Sequence, residues 1–255
     1  MPASPPLLPE HLDPVFWEPD RLGTDSAWWG HVPFAHWLVA ATHPRVLVEL
    51  GTHSGVSYAA FCRAVAEGGL TTRCVAVDTW RGDLQAGHYG AAVYRELRDW
   101  HDARHAHFSR LVRADFDTAR GMFGAGTIDL LHIDGLHDYP AVRHDFDTWR
   151  PALSDRGVVL LHDTEMREPG FEVWRLWDEL RHRHPSFAFT HGYGLGVLAV
   201  GAHPPAALAA LCAATGTKRE ARLRRMFATV GERWVSEQTL RQALAREAKA
   251  ADPAA

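Results

Sequence analysis

A short β-branched run that breaks into two glycines constrains this chain more than any other feature. Residues 46–50 read as a buried strand with Glu49 near its end, and Gly51-Thr52-His53-Ser54-Gly55 follows as a turn into a helix. Because Gly51 and Gly55 carry no Cβ, the backbone of such a turn can approach a ligand closely. The spacing lacks the three glycines of G-x-G-x-x-G, which seat a pyrophosphate on a helix N-terminus. The turn therefore favours a ligand without a phosphate, and a plain strand-turn-helix joint is the alternative.

Strand-like and helix-like segments alternate along the rest of the chain. Strands are predicted at residues 46–50, 73–78, 108–113, 127–133 and 157–162, and a closing hairpin at 187–190 and 197–200. This alternation predicts an α/β fold with a doubly wound, seven-stranded, mostly parallel sheet whose last strand is antiparallel. Helices are predicted at 28–42, 139–153 and 171–184, among others. Helical spacing predicts that the last of these buries an aromatic stripe in the core, formed by Phe171, Trp174, Trp177 and Leu180.

Length and composition fit one such domain with extensions. The 255 residues divide into a predicted N-terminal arm at 1–30, a main domain at 31–202 and a helical C-terminal extension at 203–255. A net charge of −4 gives no electrostatic case for binding a nucleic acid or an anionic membrane. The three cysteines show no C-x-x-C spacing, which favours a reduced, cytoplasmic compartment. A homo-oligomer is compatible with this sequence but is not indicated by it.

Polar residues follow every central strand of the predicted sheet. Ligands of doubly wound sheets bind beyond the carboxyl ends of the strands, where these residues meet. Asp78, followed by Thr79, is placed to accept hydrogen bonds from ribose hydroxyls, and Asp115, followed by Phe116, to meet an adenine amino group. Each acid could instead cap a helix. The remaining strand-end acids are Asp134 and the Asp163 of a His162-Asp163 pair.

The segment at 130–139 carries the strongest chemical signal. An apolar strand ends in Asp134-Gly135-Leu136-His137, and Gly135 permits a tight turn that would bring His137 back over the site. An imidazole with an ordinary pKa of about 6.5 is suited to accept a proton at neutral pH. His132 lies deeper in the strand and is interpreted as a core histidine.

These motifs resemble the class I S-adenosylmethionine (SAM)-dependent methyltransferases over residues 46–200. More narrowly, they resemble a bacterial branch that decorates glycans and secondary metabolites. The resemblance implies the strand order 3-2-1-4-5-7-6 and SAM as the cofactor. The cofactor contacts that it implies are Glu49, Gly51, Thr52, His53, Ser54, Gly55, Asp78, Thr79, Asp115, Phe116 and Asp134.

A likeness to the metal-dependent catechol-type O-methyltransferases implies further roles. Asp134, Asp163 and Thr164 occupy the positions of metal ligands, for Mg²⁺ or alternatively Mn²⁺ or Ca²⁺. His137 occupies the position of the base, where those enzymes have lysine, and Thr164 replaces an asparagine or aspartate. Asp134 and His137 are therefore the predicted catalytic residues.

The expected function is methyl transfer to a hydroxyl of a small molecule, namely a sugar, a glycoside or a secondary metabolite. The segments 80–89 and 191–194 are predicted to contact this acceptor. One alternative is a nicotinamide-dependent oxidoreductase, which the missing glycine pattern and the lack of a Tyr-x-x-x-Lys pair disfavour. The other alternative is a SAM-binding protein without catalysis.

Overall fold

A computed structural model describes residues 12–24, 26–83 and 87–251 of the chain. Seven strands form the main sheet: β1 (Val46–Leu50), β2 (Arg73–Asp78), β5 (Ser109–Arg113), β6 (Ile128–Ile133), β7 (Leu153–His162), β8 (Ser186–Phe189) and β9 (Leu195–Ala199). Two short strands, β3 (Gly82–Asp83) and β4 (Gly87–His88), pair only with each other. The eight helices are α1 (Val32–Thr42), α2 (Val56–Glu67), α3 (Ala91–His105), α4 (Phe116–Arg120), α5 (Tyr139–Trp149), α6 (Val173–Leu180), α7 (Ala206–Cys212) and α8 (Lys218–Ala251).

The order of the strands across the main sheet is β5-β2-β1-β6-β7-β9-β8. The first five of these strands pair in parallel, and β9 pairs antiparallel with both β7 and β8. Counted along the seven strands, this is the order 3-2-1-4-5-7-6 with an antiparallel last strand. The predicted fold class is confirmed.

Helices cover both faces of the sheet, as a doubly wound fold requires. Leu130 of β6 faces a core built mainly by α1, α2 and the C-terminal helices, whereas Leu131 and Ile133 face α5 and α6. The central strands are thus buried on both sides, which explains their nearly continuous apolar sequences. Their carboxyl ends all open on one edge, where the polar residues lie.

Both ends of the described chain join the same core. Val15 and Trp17 contact it near the N-terminus, while Leu12 and Phe16 are exposed. On α8, Leu223, Phe227 and Trp234 are buried in this core. The division into an arm, a domain and an extension stays a prediction, and residues 1–11 of the arm and 252–255 of the extension lie outside the described residues. No helix among the residues described here is long and apolar enough to cross a membrane.

Several predicted boundaries differ from those observed. The segment predicted as one helix from residue 28 begins as a 3₁₀ helix, Ala27–His31, before α1. The strand β7 starts four residues earlier than predicted, and α6 is shorter than predicted. The buried residues of α6 are Val173, Leu176, Trp177 and Leu180, so of the predicted stripe only Trp177 and Leu180 lie in the core. Trp174 is half-buried, with the Arg167 guanidinium over its ring. Because α6 begins at Val173, Phe171 is not on the buried face of the helix. Phe171 is half-buried and stacks on His137, with 4.7 Å between the ring centroids, so its assignment to the core was wrong.

Candidate active site

The turn after β1 is held in place by its backbone and by Asp78. Gly51 and Gly55 have φ values of +83° and +82°, and a Cβ on Gly51 would collide with the carbonyl oxygen of Asp134. The amides of Thr52 and His53 both donate to Asp78 Oδ2, at 2.9 Å each. The strand-end acid of β2 therefore fixes the shape of the glycine turn.

Asp78 also accepts a hydrogen bond from the Trp80 amide on Oδ1, at 2.6 Å. Three of the roughly four lone-pair sites of the carboxylate are thus used by backbone amides. Asp78 and Thr79 still line the large cavity beside the turn. Its predicted contact with a ribose stays a prediction, and it would use the remaining lone pair.

Two predicted cofactor contacts do not line this cavity. Glu49 is fully buried, and its Oε2 lies 2.9 Å from Nδ1 of His132. The two residues are register partners on β1 and β6, and the ring of Trp28 packs edge-on against His132. Gly55 begins α2 and packs against Leu97, whose side chain a Cβ at this position would meet. Direct contact of Glu49 or Gly55 with a ligand is therefore not supported by this geometry.

The other predicted cofactor residues do line the cavity. It has a volume of about 730 Å³, and the predicted residues on its wall are Gly51, Thr52, His53, Ser54, Asp78, Thr79, Asp115, Phe116 and Asp134. Asp115 also caps α4, accepting the amide and the hydroxyl of Thr118 at 2.7 and 2.9 Å. These bonds lower the pKa of its carboxyl. Asp115 therefore caps a helix, as the alternative interpretation predicted, and it also lines the cavity.

A cluster of two acids and two histidines closes one end of the cavity. His137 Nε2 lies 2.8 Å from Asp163 Oδ2 and 3.6 Å from Asp134 Oδ1. His162 Nδ1 lies 3.3 Å from each of the same two oxygens. The carboxylates therefore converge on one point, with an imidazole on either side.

Charge coupling within this cluster is strong. Burial alone would lower the pKa of both histidines, but the two carboxylates outweigh it and raise the pKa of His137 to about 9 and that of His162 to about 10. For Asp134 and Asp163, burial acts to raise the pKa, and the histidines overcome it and lower the pKa of both. The close approach of the Asp134 and Asp163 carboxylates is therefore stabilised by positive charge between or beside them.

One backbone carbonyl orients His162. The Nε2–H groups of His162 and His31 both donate to the Gly192 oxygen, each at 3.1 Å. A neutral His162 consequently carries its proton on Nε2, and the lone pair of Nδ1 points at the two carboxylates. Gly192 must be glycine here, because its φ is +54° and a Cβ would lie 2.9 Å from His31 Nε2.

The arrangement provides three donors for a cation. One ligand atom each from Asp134, His162 and Asp163 lies within 4.8 Å of the others. Thr164, the predicted third ligand, is buried outside the cavity, and its Oγ1 has no hydrogen-bond partner. The sequence identified His162 only as a strand-end residue. Its side chain lies beside Asp134 and Asp163, where the Thr164 ligand was expected.

Sequence reasoning missed most of the outer wall of the cavity. Ser26, Ala27 and Trp28 line it ahead of α1, and Met166, Glu168 and Phe171 line it after β7. Of the two segments predicted to contact an acceptor, Tyr193 of 191–194 and Gly82 and Tyr89 of 80–89 line the cavity, and residues 84–86 are outside the described residues. The two predicted catalytic residues, Asp134 and His137, also line the cavity.

Comparisons with known proteins identify what this sequence and this fold are similar to. A family model of a methyltransferase domain matches residues 48–164. An uncharacterized protein of Sinorhizobium fredii, y4gI, is 46% identical over 230 residues, which are 90% of this chain but 25% of that protein. The chain thus spans about a quarter of the length of this relative.

Solved structures share the fold. The O-methyltransferase TomG of Streptomyces achromogenes, solved with SAM, has a TM-score of 0.51 and 18% identity over 70% of this chain and 82% of TomG. The SAH-bound methyltransferase PaMTH1 of Podospora anserina has a TM-score of 0.50 and 13% identity, over 66% of this chain and 76% of PaMTH1. At these identities the likeness concerns the fold.

Proposed function

We propose that this chain, whose residues 48–164 match a family model of a methyltransferase domain, is a class I methyltransferase that transfers a methyl group from SAM to a hydroxyl of a small molecule. The observation that carries the proposal is one cavity of about 730 Å³ whose wall includes both the glycine turn and the cluster of Asp134, His137, His162 and Asp163. A cofactor held by the turn and an acceptor held at the cluster would share this cavity. This arrangement supports a transferase over a passive binding site.

SAM is the proposed cofactor, in contact with the turn residues 51–54 and with Asp78 and Asp115. The turn offers close backbone approach but not the glycine pattern that seats a pyrophosphate. The carboxylates on the cavity wall suit a ligand that carries a sulfonium and an ammonium group. Both features favour SAM over a nicotinamide dinucleotide, which bears two phosphates.

The reaction requires that the acceptor oxygen be held in line with the sulfonium methyl and lose its proton. The carbon–sulfur bond breaks as the carbon–oxygen bond forms, S-adenosylhomocysteine (SAH) leaves with the electron pair, and the hydroxyl proton passes to a base. His137 is the proposed base, because it reaches the cavity from the turn after β6. With a pKa of about 9 it is mostly protonated at neutral pH, so it accepts the proton in its minor, neutral form. Asp163, 2.8 Å away, orients its ring, and Phe171 stacks against its face.

A divalent cation fits the donor set of Asp134, His162 and Asp163. Two carboxylates and an imidazole suit Mn²⁺ better than Mg²⁺ or Ca²⁺, because the last two prefer oxygen ligands throughout. When bound, the cation would offset the carboxylate charges that raise the His137 pKa and would lower the pKa of the acceptor hydroxyl. The Gly192 carbonyl supports this assignment because it leaves the Nδ1 lone pair of His162 free for a metal.

The proposed acceptor is a hydroxylated sugar, glycoside or secondary metabolite. The cavity is large enough for a small molecule beside the cofactor, because its volume lies within the usual range for ligand pockets of about 300–1,000 Å³.

Calorimetric titration with SAH, run in parallel with NADH, tests the cofactor. We expect saturable SAH binding in the micromolar range and none for NADH. Gly51→Val should abolish SAH binding, because the added side chain collides with the Asp134 backbone, and Gly126→Val on a distant, uncrowded turn serves as the matched glycine control. Absence of SAH binding to folded protein would refute the proposal.

If SAH binds, incubation with SAM and a panel of hydroxylated acceptors separates an enzyme from a non-catalytic SAM-binding protein. Mass spectrometry should show a mass gain of one methylene group on an acceptor oxygen. Binding without turnover on any acceptor, with and without Mn²⁺, would favour the non-catalytic alternative.

A further inference from the structure

The charged side chains of the cavity wall are acids and histidines. Of the described residues that line it, none is a lysine or an arginine, and five are acids: Asp78, Asp115, Asp134, Asp163 and Glu168. Backbone amides or a helix N-terminus satisfy the first two, and His137 and His162 balance the charge of the next two. Glu168 is exposed on the wall together with Leu136 and Tyr193, and these three residues are called the mouth of the cavity.

Two arginines of this region have partners other than Glu168. Arg167 donates to the carbonyl oxygens of Thr164 and Met166, at 3.0 and 2.9 Å, and its guanidinium lies over Trp174. Arg175 lies over Tyr139 and pairs with Glu172 at 2.8 Å. None of these contacts involves the Glu168 carboxylate.

Apolar and aromatic side chains surround Glu168 at the mouth. Tyr193 is 53% exposed and Leu136 is 41% exposed, although both are large apolar or aromatic residues beside the acid–histidine cluster. Tyr193 adopts φ +63°, and its carbonyl accepts the Glu165 amide at 2.8 Å. A left-handed backbone at an exposed tyrosine points to a functional placement of the ring.

We propose that this mouth selects an uncharged hydroxylated ring and that Glu168 excludes anionic acceptors. The inference rests on the proposed function and specifies its acceptor. A ring lies against Tyr193 and Phe171, and Glu168 accepts a hydrogen bond from one of its hydroxyls. A phosphate or carboxylate on the acceptor would instead face the Glu168 carboxylate in a partly desolvated site, where like charges repel strongly.

Ligand-observed NMR titration of the SAH complex tests this with two matched pairs of probes. Catechol and 3,4-dihydroxybenzoate share an aromatic ring, and methyl glucoside and glucose 6-phosphate share a sugar ring. We expect the uncharged member to bind at least about tenfold more tightly than its anionic counterpart. A ratio of this size corresponds to the repulsion between two like charges near a protein surface. The pair that binds identifies the ring as aromatic or sugar.

Glu168→Lys should reverse or abolish the preference within the binding pair. Glu165→Lys is the matched control, because Glu165 is an exposed acid of the same loop that lines a separate groove. It should leave the preference unchanged. Tyr193→Asn, which keeps a residue tolerant of φ > 0, should weaken the uncharged and the anionic probe alike, by about three- to tenfold.

Equal or tighter binding of the anionic probe, binding of neither pair, or an equal effect of Glu168→Lys and Glu165→Lys would overturn the inference. Each of these results is obtained on protein saturated with SAH. Failure to bind SAH is scored separately, and it would refute the proposed function rather than the acceptor preference.

Discussion

Two histidine–acid clusters of this protein contain similar residues and differ in what surrounds them. At the strand ends, His137 and His162 flank Asp134 and Asp163 on the wall of the large cavity. Between α2, α3 and β5, His101 joins Asp102 to Ser109, with 2.7 Å on either side of the ring. The second cluster thus has the serine, histidine and aspartate of a nucleophilic triad.

The second cluster is nevertheless closed. Ser109 Oγ is also hydrogen-bonded to the Tyr58 hydroxyl, at 2.6 Å, and Ser109 is only 2% exposed. Its hydroxyl is used on both sides, so it has neither a free path to a substrate nor a free hydrogen-bonding site. At the strand ends, by contrast, two carboxylates converge on the wall of the large cavity. Accessibility, rather than residue types, distinguishes the two clusters, and it favours the strand-end cluster as the functional one.

Removal of the proposed base should give the largest effect. His137→Ala is expected to lower kcat by about 10²–10⁴-fold and to leave the SAH dissociation constant nearly unchanged, because His137 acts on the acceptor proton. Steady-state kinetics and calorimetry measure the two quantities. The matched control is His144→Ala, since His144 is an exposed residue of α5 that pairs with Asp117. Nearly full turnover of His137→Ala would exclude His137 as the base.

Another buried acid, Asp145, extends the comparison. Burial raises its pKa to about 7, with the acids Asp117 and Asp138 acting in the same direction and His144 against them. The pKa values of Asp134 and Asp163 are instead lowered by their histidines. The folded state therefore binds a proton at Asp145 more tightly than the unfolded state does.

The contribution of Asp145 to the free energy of unfolding should consequently fall as the pH rises from about 4 to above 7. The penalty is absent below the unfolded pKa and complete above the folded one, where it reaches about 4 kcal/mol. Asp145→Asn should remove it, so that the variant gains stability relative to the parent protein with rising pH. Urea denaturation of both proteins at pH 5 and pH 8 measures the difference. A pH-independent difference would contradict a raised pKa.

Metal binding separates the two candidates for the third ligand. His162→Ala should weaken Mn²⁺ binding by about 100-fold or more, whereas Thr164→Val should leave it nearly unchanged, because Thr164 does not reach the cavity. Calorimetric or electron paramagnetic resonance titration with Mn²⁺ alone measures both, without need of an acceptor. If Thr164→Val weakens binding as much as His162→Ala, the likeness to the catechol-type ligand set holds and the observed geometry does not.

The limits of sequence reasoning follow from these residues. The strands were predictable because β-branched runs alternate with helical segments, and their order was implied by the resemblance to the class I methyltransferases. The position of the strand-end acids at one edge followed from the parallel sheet. His162 and Thr164 lie two residues apart on the chain. The end of β7 at His162, the left-handed backbone of Asp163 (φ +60°) and the Gly192 carbonyl decide which side chain faces Asp134. Ser26 and Trp28 reach the cavity through long-range packing of a 3₁₀ helix, for which no local pattern exists. Phe171 is not part of the predicted helical stripe because α6 begins two residues after it.

Substitutions in the closed cluster should give the smallest effect and the opposite signature. Ser109→Ala leaves the Tyr58 hydroxyl and His101 Nε2 without this partner in a buried site, which costs about 1–3 kcal/mol of folding free energy. Because the cluster does not reach the cavity cluster, kcat and SAH affinity of the folded variant should stay unchanged. Chemical denaturation and kinetics on the same preparation measure both. A variant that keeps its stability but loses turnover would show that the Ser109 network communicates with the site, and the distinction between the two clusters would then fail.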